Sequence, residues 1–223
     1  MKLLLTSGGI SNKSIEKTLI KLLEKPICEC NALCIPTSVY ALPNGANLAA
    51  NFINGEGKAP MCELGFKSID ILELSALSII DKEVWVPKVK EADIILVNGG
   101  DPLFLYYWMI KSGFNQIINE LDSVYVGMSA GSMVLTPKIG KDFINWFNDE
   151  ISSDNTLNIV NFSIFPHLEH PMLLENTIQN AQIWSESIGI HSYAIDDQTA
   201  ILVVDDKIEI ISEGKWIEYN KEE

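Results

Sequence analysis

Residues 122–135 read Asp-Ser-Val-Tyr-Val-Gly-Met-Ser-Ala-Gly-Ser-Met-Val-Leu, and the reading of the whole chain turns on them. A β-favouring pulse, Val124 to Val126, runs into Gly127-Met128-Ser129-Ala130-Gly131, and a helix-compatible stretch, Ser132 to Leu135, follows. Strand, G-x-S-x-G and helix in that order are the setting of a nucleophile elbow. Such a turn lifts the serine hydroxyl clear of the sheet on a strained backbone, and small flanking residues keep that backbone from clashing. The serine would also stand at a helix N-terminus, where free N–H groups and the dipole favour developing negative charge. From there the Ala130 amide can face an oxyanion. A tight βα turn without chemistry is the alternative, because the pattern itself is short.

Working outward, the chain has 223 residues and 47% hydrophobic content, enough for one large α/β domain over 1–223 with a buried core. No linker, repeat or low-complexity tract divides it. Leu3-Leu4-Leu5 is too short for a signal peptide, and the longest apolar run, Leu103 to Ile110, is far short of a membrane span. A cytoplasmic protein without a membrane partner is expected. The net charge of −14, with no basic run, argues against nucleic acid. All 16 basic residues are lysine. Without arginine, a carboxylate cannot be gripped bidentately. Cys28, Cys30 and Cys34 lack zinc-ligand spacing and have no histidine nearby, so packed thiols are expected and no metal.

Strands are expected at Lys2 to Thr6, Asn31 to Ile35, Ser68 to Leu74 and Asp93 to Val97, the last fully apolar as at the centre of a parallel sheet. Helices are expected between them, at Ser14 to Leu23, Ala46 to Ile53 and Asp81 to Ala92. The strand at 93–97 runs into Asn98-Gly99-Gly100-Asp101-Pro102, where Asp101 suits an N-cap and Pro102 a first helical position. In an open parallel sheet this turn and the serine turn share the C-terminal edge, where ligands bind. No phosphate-binding spacing accompanies the glycines, so their amides are better cast as half of an oxyanion hole.

The helix over Leu103 to Ile110 is apolar all round, which reads as core or subunit interface and leaves a homodimer open. Phe114 to Leu121 is expected to continue as helix. Pro137 to Thr156 is polar and irregular, with Phe143, Trp146 and Phe147 at helical spacing, and a loop of this length beside a site can act as a lid. Beyond it come a strand from Asn158 to Phe165, a helix from Leu173 to Ile188 and a strand from Ser192 to Ile195. Hairpin-like strands at Thr199 to Val204, Lys207 to Ile211 and Lys215 to Tyr219 close the chain. The expected fold is three-layer α/β/α, with a mostly parallel central sheet and a C-terminal antiparallel ribbon.

A nucleophilic serine needs a base, and the chain has three histidines, His167, His170 and His191, all after Ser129. His167 follows Pro166 at a strand end, which places it at the same sheet edge. Acids between Ser129 and His167 lie in irregular sequence with no strand end to position them. Glu169 and the pair Asp196-Asp197 are better placed, so the order Ser…His…acid is expected.

Gly-Gly-Asp at 99–101, G-M-S-A-G at 127–131, Pro166-His167 and I-D-D-Q-T-A at 195–200 together resemble the S51 serine peptidases, the family of dipeptidase E and cyanophycinase. The resemblance implies a class I glutamine amidotransferase-like fold, with serine as nucleophile and no cofactor. It implies Ser129 as nucleophile, His167 as base, and Gly100 and Ala130 as oxyanion amides with Gly99 beside them. The family carries glutamate where Asp197 stands, so Asp197 is ranked first as the acid, Glu169 second and Asp196 third. Dipeptidase E is associated with peptides that begin with aspartate, and the resemblance implies an arginine for that side chain, which this chain lacks. The expected activity is a dipeptidase E-like serine exopeptidase on short peptides without preference for Asp-X. The alternatives are an esterase or amidase on the same triad, or a catalytically silent binding module.

Overall fold

The computed structural model describes residues 1–57, 59–151 and 153–221. Its elements in chain order are β1 (Lys2–Thr6), α1 (Lys13–Leu23), β2 (Asn31–Ile35), α2 (Gly45–Ile53), β3 (Ser68–Ile71), α3 (Lys82–Glu91), β4 (Ile94–Val97) and α4 (Pro102–Ser112). There follow β5 (Val124–Met128), α5 (Ala130–Met133), β6 (Ser163–Phe165), α6 (Ile178–Ile188), β7 (Ser192–Ile195), β8 (Thr199–Val204), β9 (Lys207–Ser212) and β10 (Trp216–Tyr219).

The main sheet has the order β3-β2-β4-β5-β1-β8-β9. The run from β3 to β1 is parallel, and β8 and β9 add to it antiparallel. Side chains alternate along each strand, so a strand buried on both sides feeds two cores. Leu3, Leu5, Ile95, Val97 and Tyr125 pack on one face against Trp85 and Val89 of α3 and Leu105 and Met109 of α4. Leu4, Ile94, Leu96, Val124 and Val126 pack on the other against Ile15, Leu19 and Leu22 of α1 and Phe52 of α2. Helices on both faces of a largely parallel sheet make the expected three-layer α/β/α fold.

The helix ends follow local chemistry. The Asn12 side chain accepts the Ser14 and Ile15 amides to start α1, and Asp101 does the same for Leu103 and Phe104 of α4, with Pro102 in the first turn. Gly113, at φ 76°, closes α4 in the left-handed region.

Several expectations need correction. The helix expected over Phe114 to Leu121 is a pair of 3-10 turns, Phe114–Gln116 and Ile118–Glu120, because the left-handed Gly113 has already broken the ladder. Of the strand expected over 158–165 only Ser163–Phe165 pairs, and of the helix expected over 173–188 only Ile178–Ile188 forms, behind a Thr177 cap. The strand from Ser68 stops at Ile71. The C-terminal ribbon divides: β8 and β9 extend the main sheet, while β10 pairs with β7 in a second sheet of order β10-β7-β6. Cys30, Cys34 and Cys62 are buried, with the last two thiols in hydrogen-bonding contact, but Cys28 is exposed.

The aromatic trio of the 137–156 loop does not form one helical face, although Phe143 and Trp146 both pack against the buried Leu103, Met133 and Ile139. Phe143 packs on Phe165 and Trp184, Trp146 on Phe104 and Tyr107 of α4, and Phe147 is exposed. Lys111 of α4 pairs with Glu150 of the loop at 2.6 Å. Part of the apolar outer face of α4 is thus covered by the chain's own loop, while Ile110 stays exposed; Ser152 of that loop lies outside the described residues.

Candidate active site

The serine turn is built by close approach. Ser129 lies at φ 48°, ψ −109°, a conformation that costs a non-glycine residue energy and persists only where its surroundings impose it. Its amide donates to the Thr6 carbonyl at 2.9 Å, and the Ser132 hydroxyl donates to the same carbonyl at 2.8 Å. A Cβ on Gly127 would come within 2.5 Å of the Gly131 carbonyl oxygen, and one on Gly131 would overlap the Val97 carbonyl. Both glycines of G-x-S-x-G are therefore required by the packing of β5, α5 and β4.

His167 stands at the end of β6, at φ 56°, and turns its ring toward Ser129. Its Nε2 is 2.8 Å from the Ser129 Oγ, and its Nδ1 is 2.6 Å from the Asp197 Oδ1. If the Ser129 hydroxyl donates to Nε2, the ring proton resides on Nδ1 and faces the carboxylate. Burial pushes the Asp197 carboxyl up, but the hydrogen bond and charge of His167, the Ser7 hydroxyl and the charge of His170 together hold it below the usual carboxylate range.

The other acids are employed elsewhere. Glu169 is exposed, and its Oε1 accepts the Ile178 amide at 3.0 Å, at the start of α6. Asp196 accepts the Gln198 amide and the Thr199 hydroxyl on Oδ1 and the Lys215 amide on Oδ2, which fixes the turn before β8. Neither bonds His167. His191 pairs with Glu218 at 2.9 Å and packs on Tyr193, away from the serine. His170 is closer to the centre than its loop position suggested: its Nε2 lies 3.6 Å from the Asp197 Oδ2, while its Nδ1 accepts the Met172 amide at 3.2 Å.

The glycine turn after β4 abuts the serine turn. A Cβ on Gly99 would sit 3.4 Å from the Ser129 Cβ, and one on Gly100, at φ 143°, would meet the Ser38 carbonyl at 2.5 Å. Ser38 donates to the Asn98 and Gly99 carbonyls. The Gly99 amide is taken by the Asn98 side chain at 2.9 Å. Among the described residues the Gly100 and Ala130 amides have no such acceptor.

Two features escaped the sequence reading. Ser38 supports the glycine turn from the 3-10 turn Thr37–Ala41 that follows β2, and Ser7, completely buried at the end of β1, bonds both His167 and Asp197. The available signal for the second was Ser7-Gly8-Gly9 directly after a strand. A cleft of about 350 Å³ beside Phe165 is lined by Asp142, Phe143, Glu175 and Asn180, and another of about 350 Å³ by His170, Asp197, Glu169 and Lys215. A cavity of about 460 Å³ lies at the opposite end of β1, against Met1, Asp205 and Asp206, remote from Ser129. Among the described residues no group of three or more His, Cys, Asp or Glu side chains could hold a metal, and no helix is long and apolar enough to cross a membrane.

The family model for peptidase family S51 matches residues 3–211. An uncharacterized peptidase of Pasteurella multocida is 27% identical over 143 residues, which cover 60% of this chain and 66% of that protein. One from Listeria innocua is 26% identical over 128 residues, 54% of this chain and 59% of the relative. The chain thus spans less than two thirds of the length of these curated relatives. Among solved structures, a Listeria monocytogenes EGD-e protein assigned as a peptidase E superposes with TM-score 0.66 at 20% identity, over 96% of this chain and 98% of that one. A peptidase from an acI-B1 Actinobacterium gives TM-score 0.68 at 21% identity, over 96% of this chain and 88% of the other. At these identities the two structures share the fold.

Proposed function

Because the chain belongs to peptidase family S51, we propose that it is a serine exopeptidase that cleaves short peptides through an acyl-enzyme, with Ser129, His167 and Asp197 as its triad. The observation that carries the reading is the unbroken line from the Ser129 Oγ through His167, at 2.8 Å and 2.6 Å, to Asp197. Ser129 Oγ attacks the scissile carbonyl carbon while His167 Nε2 takes its proton, and Asp197 holds the imidazolium that forms. The Gly100 and Ala130 amides receive the oxyanion, while Gly99 shapes the turn with its own amide engaged. His167 then gives the proton to the leaving amine, and a water, deprotonated by His167, releases the acyl group.

For the substrate, the reading is a neutral or basic first residue rather than aspartate. No arginine exists to clamp a carboxylate. Asp142 and Glu175 line the cleft beside Phe165, two residues before His167. Lys215, on the far side of Asp197, shares its cleft with Glu169, Asp196 and Asp197. The net charge of −14 also repels an acidic substrate.

A fluorophosphonate probe followed by a dipeptide panel tests both parts. Labelling should occur at Ser129 and vanish in Ser129→Ala, and an unlabelled native protein would favour a silent module. Acyl esters turned over without dipeptides would favour an esterase. A highest kcat/KM on Asp-X peptides would overturn the specificity while leaving the triad standing.

A further inference from the structure

We infer that Ser7 is a fourth member of the catalytic apparatus, a positioning residue that locks His167 and Asp197 to each other through one hydroxyl; the inference rests on the triad proposed above. The Ser7 side chain is completely buried at the end of β1, the strand that also accepts the Ser129 amide. Its Oγ accepts the His167 main-chain N–H at 2.7 Å and donates its proton to the Asp197 Oδ1 at 2.8 Å. The same oxygen lies 3.3 Å from the His167 Nδ1, so hydroxyl, imidazole and carboxylate form a closed triangle. Asp197 Oδ1 thereby receives two donors, the Ser7 O–H and the His167 Nδ1–H at 2.6 Å.

Both partners need holding. His167 sits in the left-handed region at φ 56°, which is uncommon for a residue other than glycine, and the hydrogen bond from its main-chain N–H to the Ser7 Oγ fixes that turn. Asp197 is one methylene shorter than glutamate and only partly buried, so few side-chain contacts determine where its carboxylate points. Gly8 makes the approach possible, because a Cβ there would come within 2.6 Å of the Asp197 Cβ.

The loop that carries the acid has separate anchors. The Ser11 hydroxyl donates to the Asp197 carbonyl at 2.5 Å, and the Asn12 side chain donates to the Gln198 carbonyl at 2.8 Å. Loss of the Ser7 hydroxyl should therefore leave the 196–198 main chain in place while freeing the carboxylate and the imidazole to move. That separation makes Ser11→Ala a control for the purely architectural contribution.

The test compares Ser7→Ala, Ser11→Ala and Ser129→Ala by the pH-dependent rate of fluorophosphonate labelling and by Tm. In Ser7→Ala the maximal inactivation rate should fall about ten- to a hundred-fold, the worth of a hydrogen bond to a charged group, with probe affinity unchanged. The acid limb of its profile should move to higher pH, because a carboxylate relieved of one donor is more basic and stabilises the imidazolium more. Ser11→Ala should lower Tm with little change in rate. If Ser7→Ala labels like the native protein, or lowers Tm with little change in rate as Ser11→Ala should, Ser7 is architecture alone and the inference is wrong. Should the alanine variant not fold, Ser7→Cys, with a weaker donor, takes its place with the same criteria. Labelling that persists in Ser129→Ala would refute the triad itself. A silent Ser129→Ala beside an unaffected Ser7→Ala would sink only the role of Ser7.

Discussion

Asp197→Asn is the sharpest test of the acid assignment. In the native site Oδ1 accepts from the His167 Nδ1 at 2.6 Å and from the Ser7 hydroxyl at 2.8 Å. Asparagine removes the charge that would stabilise the imidazolium. If its amide NH2 turns toward Nδ1, the ring must carry its proton on Nε2, where it can no longer receive one from Ser129. Loss of the correct tautomer in a serine triad costs roughly 10³–10⁴-fold in rate, about 4–5 kcal/mol of barrier. Glu169→Gln is the matched comparison, because Glu169 is two residues from His167 in sequence but spends its Oε1 on the Ile178 amide of α6. Glutamine keeps an acceptor there, so the change should cost about 0.3–1 kcal/mol of stability through the helix dipole and less than about threefold in rate. The assay is kcat/KM on the best dipeptide of a panel, with the labelling rate of Ser129 as a substrate-independent check. An Asp197→Asn enzyme within tenfold of the native rate, or a larger loss in Glu169→Gln, would refute the assignment.

The histidines should separate cleanly: His167→Ala should lose several orders of magnitude in kcat, and His170→Ala less than about tenfold, since it gives up one 3.6 Å contact to the outer carboxylate oxygen. His191→Ala should leave activity per folded molecule unchanged but lower stability by about 1–2 kcal/mol, because Glu218 loses its 2.9 Å partner; urea melts and active-site titration read the two effects apart. Burial raises the Asp101 carboxyl above its ordinary value against the opposing pull of the Phe104 and Leu103 amides it caps and of the Trp146 amide. Its protonated form is therefore favoured on folding, and the stability this confers is complete below the unfolded pKa and lost as pH rises through the folded one. Asp101→Asn keeps the cap on Leu103 and Phe104, so its denaturation midpoint should not show that decline; an equal decline in both proteins would place the effect elsewhere.

The strands were the legible part of the fold, for a physical reason. β1, β2 and β7 are continuous apolar pulses bounded by glycine, proline or polar residues, and their sequence bounds match the structure residue for residue. What the sequence concealed depended on distant partners. Leu173 and Leu174 look like the start of a helical stripe, yet both are exposed in turns, and the helix waits for Thr177 to cap it. Phe143, Trp146 and Phe147 have the spacing of one helical face, but Phe143 packs on β6 and α6, Trp146 on α4, and Phe147 is exposed. Spacing reports which residues a helix would align, not whether the helix forms, and tertiary packing overrode it here.

The site divides along the same line. Ser129 follows β5 of the main sheet, whereas His167 follows β6 of the second sheet, β10-β7-β6, so the strand-end reading found both residues although they do not share one parallel sheet. The acid could only be ranked, since proximity in sequence favoured Glu169 while a strand end favoured Asp197. Backbone conformation separates them in space: His167 at φ 56° and Glu169 at φ 55° carry the chain through a tight reversal, and the Glu169 side chain ends at the start of α6. Asp197 arrives from a strand 30 residues away, with its carboxylate already met by a hydroxyl from the first strand. Ser7 is 160 residues from His167 and 190 from Asp197, and its own neighbourhood, a serine before two glycines, reads as an ordinary turn. Its place is fixed by register instead: β1 pairs with β5 on one side and β8 on the other, which sets the end of β1 between the nucleophile turn and the acid turn. Register thus brings Ser7 beside the acid turn, while the main-chain N–H that its hydroxyl accepts belongs to His167, after β6 of the second sheet. The nearness of Ser7 to the Asp197 turn could therefore be read from strand order, whereas its contact with His167 depends on how the second sheet packs against the main one.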